Sequence, residues 1–291
     1  MDAGLLVGLA VLGGLGALLG LGLAFSNKWL HVRIDPKIVA VNEVLPGTNC
    51  GACGFPGCEG AAVAVVRGEA EVTVCVAGGQ ETADDVADVM GVEAGDVEKV
   101  VALVFCRGGE GKGVTKYIYR GVEDCHAAVL VAGGPKACGY ACVGYGNCTL
   151  VCPYGAIVMG EDRIPVVAPE LCTGCGLCVA ECPRKVIHLV PDDRRVHIRC
   201  SSRDKGPAVK KVCTVGCIAC KLCEKNCPHT APKVENFLAV MDYSKCDHTC
   251  YCVAKCKPGT IVIETRPGET ALSPVDPPKK EKAAAKAEKP E

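Results

Sequence analysis

Aromatic side chains are scarce in this chain: Phe, Tyr and Trp make up 4% of 291 residues, against 35 Gly. So thin a supply of large apolar groups excludes one extensive hydrophobic core, and something else must hold the folded segments together. Charge of one sign is lacking too. With a formal net charge of −1 and no Lys/Arg-rich stretch beside stacking aromatics, no nucleic-acid partner is expected. No Gly-rich dinucleotide fingerprint lies between a strand and a helix; GGEGKG at 108–113 lacks that setting and reads as a turn. No nucleophile–base constellation is visible either, so no catalytic residue is expected.

Cysteine is what the sequence has instead, at 24 residues. Disulfide frameworks rarely repeat a tight C-x2-C-x2-C-x3-C run, whose thiols face one shared centre. Such runs signal metal or cluster binding in a reducing compartment.

Ahead of the cysteines, Gly4 to Phe25 is an uncharged stretch of 22 residues. As a helix it spans roughly 33 Å, enough for a bilayer core of about 30 Å. A signal peptide is the competing reading, but it calls for a positive start and a shorter apolar stretch. Here the chain starts Met-Asp-Ala, and Trp29 follows where an interfacial aromatic belongs. Residues 1–27 are therefore expected to be a single-pass anchor in membrane lipid. Lys28, Arg33 and Lys37 follow the span and only Asp2 precedes it, which puts the C-terminal bulk on the cytoplasmic side of the inner membrane. Gly4/Gly8 and Gly16/Gly20 are spaced either for close helix packing or by the chance of a Gly-rich span.

The expected order after the anchor is a small cysteine unit at 30–95, with an amphipathic helix near Glu81–Met90, and a connector at 96–135. Two units of similar design follow at 136–190 and 213–265. The Pro/Lys/Glu/Ala tail at 274–291 is expected to be disordered.

The strongest signals are Cys172-x2-Cys175-x2-Cys178-x3-Cys182-Pro183 and Cys217-x2-Cys220-x2-Cys223-x3-Cys227-Pro228. This is the bacterial ferredoxin spacing, in which three thiolates wrap one [4Fe–4S] cluster and the fourth Cys ligates its neighbour. Each run therefore needs a partner run. The first has Cys138-x3-Cys142-x5-Cys148-x3-Cys152-Pro153, and the second has Cys246-x3-Cys250-x-Cys252-x3-Cys256. Crossing over gives the sets Cys138/Cys142/Cys148/Cys182 and Cys172/Cys175/Cys178/Cys152 in the first unit. In the second it gives Cys246/Cys250/Cys252/Cys227 and Cys217/Cys220/Cys223/Cys256. Thr249 stands at the expected second-cysteine position, so Cys250 is expected to substitute. One further cluster is expected at Cys50-x2-Cys53-x4-Cys58 with Cys75, where Gly51, Gly54 and Gly57 let backbone N–H groups reach the sulfurs.

The expectation is about five [4Fe–4S] clusters on twenty cysteines. Cys106, Cys125, Cys200 and Cys213 are left as buried free thiols, with Cys213 in reserve should the set at Cys217 prove irregular. Zinc fits poorly, because its sites use two well-separated pairs of ligands. Units of about 55 residues cannot bury enough apolar surface to be stable alone, so the clusters supply the missing core. The strands after each fourth Cys (CPYGAIVM, CPRKVIHLV and CKPGTIVI) are expected to pair around the clusters, while Pro232 interrupts CPHTAPKV. The fold class is α+β: one N-terminal transmembrane helix, a small 4Fe–4S domain and two bacterial-type 2[4Fe–4S] ferredoxin units.

Together, the N-terminal span, NCGACGFPGCEGAA with its distant fourth Cys, YRGVEDCHAA, CGYACVGYGNCTLVCPYGAI and CTGCGLCVAECP closely resemble the B subunit of the Rnf electron-transport complex. The likeness covers roughly residues 1–265, and the second unit at CIACKLCEKNCP resembles the longer form found in anaerobes. Val76, where a Pro often follows the fourth ligand, and the shifted cysteine at 250 depart from the family pattern. The resemblance implies an electron-carrying component of an ion-translocating ferredoxin:NAD+ oxidoreductase. It implies soluble ferredoxin as donor, and partner membrane subunits with flavin and NAD sites. A related complex that reduces an iron–sulfur regulator, and a membrane-tethered protein with structural metals, are the alternatives.

Overall fold

The computed structural model describes residues 3–30, 35–248 and 250–265. Arg33, Thr249 and the tail at 274–291 thus lie outside the described residues. Helix α1 (Ala3–Trp29) is apolar; its stretch Val7–Trp29 has mean hydropathy 2.1, with none of it buried against protein. Lys28 in the last turn suits the negative end of the helix dipole. The helix is long and apolar enough to cross a bilayer.

Three helices follow: α2 (Pro36–Val44), α3 (Gly57–Val66) and α4 (Gly79–Met90). Pro36 opens α2 with its fixed φ, and the Asp35 side chain accepts the Lys37 N–H at 2.9 Å. Gly91 closes α4 in the left-handed region, at φ 72°. Ala61, Ala62 and Val65 of α3 pack on Val41 and Val86, and the small residues let the helices approach closely.

Next come β1 (Val100–Val104), α5 (Cys125–Leu130), α6 (Asn147–Leu150), β2 (Ile157–Met159), β3 (Pro165–Val167), α7 (Leu177–Glu181) and β4 (Ile187–Pro191). Strand β1 runs antiparallel to β4, with Val104 opposite Ile187, and β2 pairs with β3. The plan then repeats through β5 (Val196–Ile198), α8 (Gly206–Val212), α9 (Leu222–Asn226), β6 (Pro232–Glu235), β7 (Leu238–Met241), α10 (Tyr251–Lys255) and β8 (Ile261–Ile263). Here β5 pairs with β8, and β6 with β7.

Three expectations change. Strands β2 and β4, which follow Cys152 and Cys182, do not pair with one another. After β2 the chain turns back at once, Gly160 N–H meeting Ile164 C=O at 3.0 Å, and such a short loop closes at low entropic cost. Strand β4 is left for β1, so the stretch expected as a connector supplies a strand of the first unit. Likewise the segment between the two expected units supplies β5 to the second. Pro232 does not break its strand: it is the first residue of β6, where a missing N–H is tolerated. Each unit keeps a small apolar cluster, Val104, Ile157, Val186 and Ile187 in one and Val196, Ile198, Leu238 and Ile261 in the other, interleaved with cysteines.

Candidate iron–sulfur sites

Helices α6, α7, α9 and α10 each carry the third cysteine of a run: Cys148, Cys178, Cys223 and Cys252. Each starts from a left-handed residue, Gly146 (φ 80°), Gly176 (φ 79°), Lys221 (φ 58°) or Cys250 (φ 59°). That turn curls the preceding loop round a centre in front of the helix. At the other end Cys182, Cys227 and Cys256 sit in extended backbone as C-caps, so their thiols leave the run they belong to.

Cys152, Cys172, Cys175 and Cys178 line one recess, and Cys217, Cys220, Cys223 and Cys256 line its counterpart in the second unit. Around Cys252 lie Cys227, Cys246 and Cys250. Cys250 is buried, and its thiol faces the His248 carbonyl oxygen at 2.9 Å. A side chain thus occupies the left-handed position that glycine holds in the first unit, as Lys221 does in the regular run of the second. In the N-terminal unit Cys50, Cys53 and Cys58 surround Cys75. Asn49 Oδ1 accepts the Cys58 N–H at 2.8 Å, and a Cβ on Gly57 (φ 81°) would meet that same oxygen at 2.8 Å.

The neighbours of Cys142 are Cys106, Cys125 and Cys148, and those of Cys148 include Cys125 and Cys182. Cys125, expected as a free thiol, thus stands near Cys142 and Cys148, and Cys182 near Cys148. The cause is a polar clamp. Asn147 accepts the Cys125 N–H at 2.7 Å, while its amide donates to Asp124, the N-cap of α5, and to Glu181 at 3.2 Å. The clue in the sequence is Tyr145. Cys142-x2-Tyr145-x2-Cys148-x3-Cys152 keeps the ferredoxin frame with its second ligand missing, so another segment must supply one.

Cys138 lies instead beside Cys106 and Cys213, and these three line a further recess together with Cys200. The 108–113 turn folds against Asp162, which Lys112 meets at 3.0 Å. His126 faces Glu181 at 3.1 Å on the surface side of the clamp.

Burial pushes the thiols of Cys148, Cys178, Cys200, Cys223 and Cys252 up to about 12, and that of Cys142 higher still. Thiolates in so dry a setting need a bound cation, and binding it expels protons. Among the described residues no group of three or more His, Cys, Asp or Glu side chains is arranged for a single metal ion. Tetrahedral zinc with 2.3 Å bonds needs sulfurs about 3.8 Å apart. A cluster gives each thiolate its own iron, which suits four cysteines that share a recess without closing on one ion.

Three family models match the chain: a putative Fe–S cluster at residues 45–77, and 4Fe–4S dicluster domains at 137–186 and 171–232. The chain is 43% identical to the B subunit of the Na+-translocating ferredoxin:NAD+ oxidoreductase complex of Acetobacterium woodii, over 91% of this chain and 80% of that protein. It is 44% identical to the B subunit of an ion-translocating oxidoreductase complex of Methanosarcina acetivorans, over 90% of this chain and 100% of that one. A third relative is the B subunit of the proton-translocating ferredoxin:NAD+ oxidoreductase complex of Clostridium ljungdahlii, 44% identical over 85% of this chain and 88% of that protein.

Proposed function

Because the chain belongs to the B-subunit family of ion-translocating ferredoxin:NAD+ oxidoreductase complexes, we propose that it is the electron-carrying component of such a complex. It takes electrons from reduced soluble ferredoxin and passes them to partner membrane subunits with flavin and NAD sites. Helix α1 anchors it, with residues 35–265 on the cytoplasmic side.

The observation that carries this reading is the gathering of cysteines from separate runs at shared centres. Cys152 lines the recess of Cys172, Cys175 and Cys178, and Cys256 that of Cys217, Cys220 and Cys223. Five [4Fe–4S] clusters are held by these two sets, by Cys125/Cys142/Cys148/Cys182, by Cys227/Cys246/Cys250/Cys252 and by Cys50/Cys53/Cys58/Cys75. When bound, each cluster takes up and gives back one electron with no change in bonding or protons. The protein's part is to hold the sulfurs, exclude water and aim backbone N–H groups at them. One such contact is Ala102 N–H to Cys172 Sγ at 3.4 Å, which stabilises the reduced state.

The test is anaerobic purification of the full chain from membranes. Brown protein is expected, with about four Fe and four sulfide per cluster, reduced by ferredoxin and co-purifying with flavin-bearing subunits. Colourless, zinc-loaded protein, or clusters that reduced ferredoxin leaves oxidised, would sink the reading.

A further inference from the structure

The five sets leave Cys106, Cys138, Cys200 and Cys213 unused. These come from four places: the end of β1, the loop after α5, the end of β5 and the C-cap of α8. No spacing rule connects them, yet the fold brings them to one recess that all four line. Cys106 has Cys138, Cys213 and Cys200 in its electrostatic surroundings, and Cys138 has Cys213. A Cβ added to Gly108 would meet Cys213 Sγ at 3.3 Å and Cys106 Sγ at 3.8 Å, so both sulfurs converge on that bare backbone. The arrangement matches the two recesses of the regular runs, each lined by four cysteines.

We propose that Cys106, Cys138, Cys200 and Cys213 hold a sixth [4Fe–4S] cluster, seated between the two ferredoxin units and joining them into one electron path. This rests on the electron-carrying role proposed above and adds its middle link. All 24 cysteines then fall into six sets of four.

Three kinds of observation carry the proposal beyond proximity. First, backbone donors point at the sulfurs: Cys142 N–H to Cys106 Sγ at 3.4 Å, Cys217 N–H to Cys200 Sγ at 3.3 Å and Ser202 N–H to Cys200 Sγ at 3.5 Å. Amide groups aimed at thiolate sulfurs are the means by which proteins stabilise cluster ligands. Second, Arg107, Lys136 and Arg199 line the same recess. Four thiolates on a cluster core leave a net negative charge, which these cations offset. The recesses at Cys172 and Cys217 have no such set of cations: the first has no Lys or Arg and the second only Lys221. Third, the donors on either side belong to neighbouring sites. Cys142 is in the set with Cys125, and Cys217 is in the set with Cys220.

The order that results is linear. Tyr154 lies between Cys50 and Cys175, linking the N-terminal set to the first ferredoxin unit. Cys178 and Cys148 link the two sets within that unit. Cys142 and Cys106, then Cys200 and Cys217, lead through the middle site to the second unit, whose two sets meet at Cys223 and Cys252. Electron tunnelling falls steeply with distance, so an empty middle site would divide the path into two halves. An electron entering the middle site from one unit leaves to the other, with no proton or co-reactant required.

The experiment compares the full-length wild type with Cys106→Ala/Cys213→Ala and Cys213→Ser, all purified anaerobically in detergent. The wild type is expected to hold about 24 Fe and 24 sulfide at four per cluster. The double variant is expected to lose about four of each while the EPR signals of the other clusters persist. Flash reduction of the second unit should then fail to reach the N-terminal cluster. Cys213→Ser, with an oxygen ligand, should keep the iron and shift the potential and g-values of one cluster alone. A wild type with about 20 Fe and five reducible centres overturns the proposal, whatever the variants do, and leaves the electron-carrying role standing. A double variant with undiminished iron and an unchanged spin count overturns it as well. Zinc in place of iron throughout defeats the underlying role itself.

Discussion

The backbone N–H of Cys217 donates to the Sγ of Cys200 at 3.3 Å, tying the first ligand position of the second ferredoxin unit to a thiol outside both regular runs. The contact depends on the chain between them. Helix α8 carries Val209 to within 2.5 Å of where a Cβ on Gly216 would stand, next to Cys213. Gly216→Ala must therefore displace the buried Val209, and α8 with it. The expected loss is about 1–3 kcal/mol, with iron released first from the middle site. Iron analysis and EPR spin counts on the variant check this; full occupancy of every site would contradict it.

Cys125 and Cys138 should behave as ligands of different clusters. With Cys125→Ala, the cluster of Cys142, Cys148 and Cys182 is expected to fall to a three-iron form or be lost. Cys138→Ala should spare that cluster and perturb the middle one. Redox-titrated EPR of both variants separates the outcomes, since a shared cluster would show the same signal altered in each. Asn147→Leu is expected to copy Cys125→Ala weakly. It leaves the buried Cys125 N–H unpaired, at about 1–3 kcal/mol.

His197 gives a pH dependence. It is buried at 2% exposure, with Nδ1 facing the Tyr243 hydroxyl at 2.8 Å and Nε2 facing the Arg194 carbonyl at 3.2 Å. Burial lowers its pKa to about 4, so it folds neutral. The unfolded chain, with the ordinary value of about 6.5, then binds the extra proton as pH falls. Its contribution is complete above 6.5 and is lost as pH drops from there toward 4, reaching about 1.4 kcal/mol by pH 5.5. Anaerobic urea unfolding at pH 7.5 and 5.5 should show that drop in the wild type and a flatter response in His197→Gln. Equal slopes would remove His197 as the cause.

Removing iron should unfold both ferredoxin units. Each has two-stranded sheets and a small apolar cluster that includes cysteines, too little to offset chain entropy over about 55 residues. The check is far-UV circular dichroism before and after oxidative cluster removal with a chelator. Retention of the strand signal by the apoprotein would show that packing suffices.

Local spacing in the sequence determined much of this protein. The apolar span became α1, the third cysteine of each ferredoxin run marked a short helix, and the fourth sat where the chain straightens. These are short-range consequences of backbone geometry, so they are legible within a few residues. What only the tertiary structure decided was membership across long separations. Cys125 reaches Cys148 because Asn147 clamps both segments, and β1 and β5 come from stretches with no ferredoxin spacing. Cys106, Cys138, Cys200 and Cys213 carry no repeat at all. Their convergence follows from β1 pairing with β4 and β5 with β8, and strand register leaves no local mark on the residues it brings together.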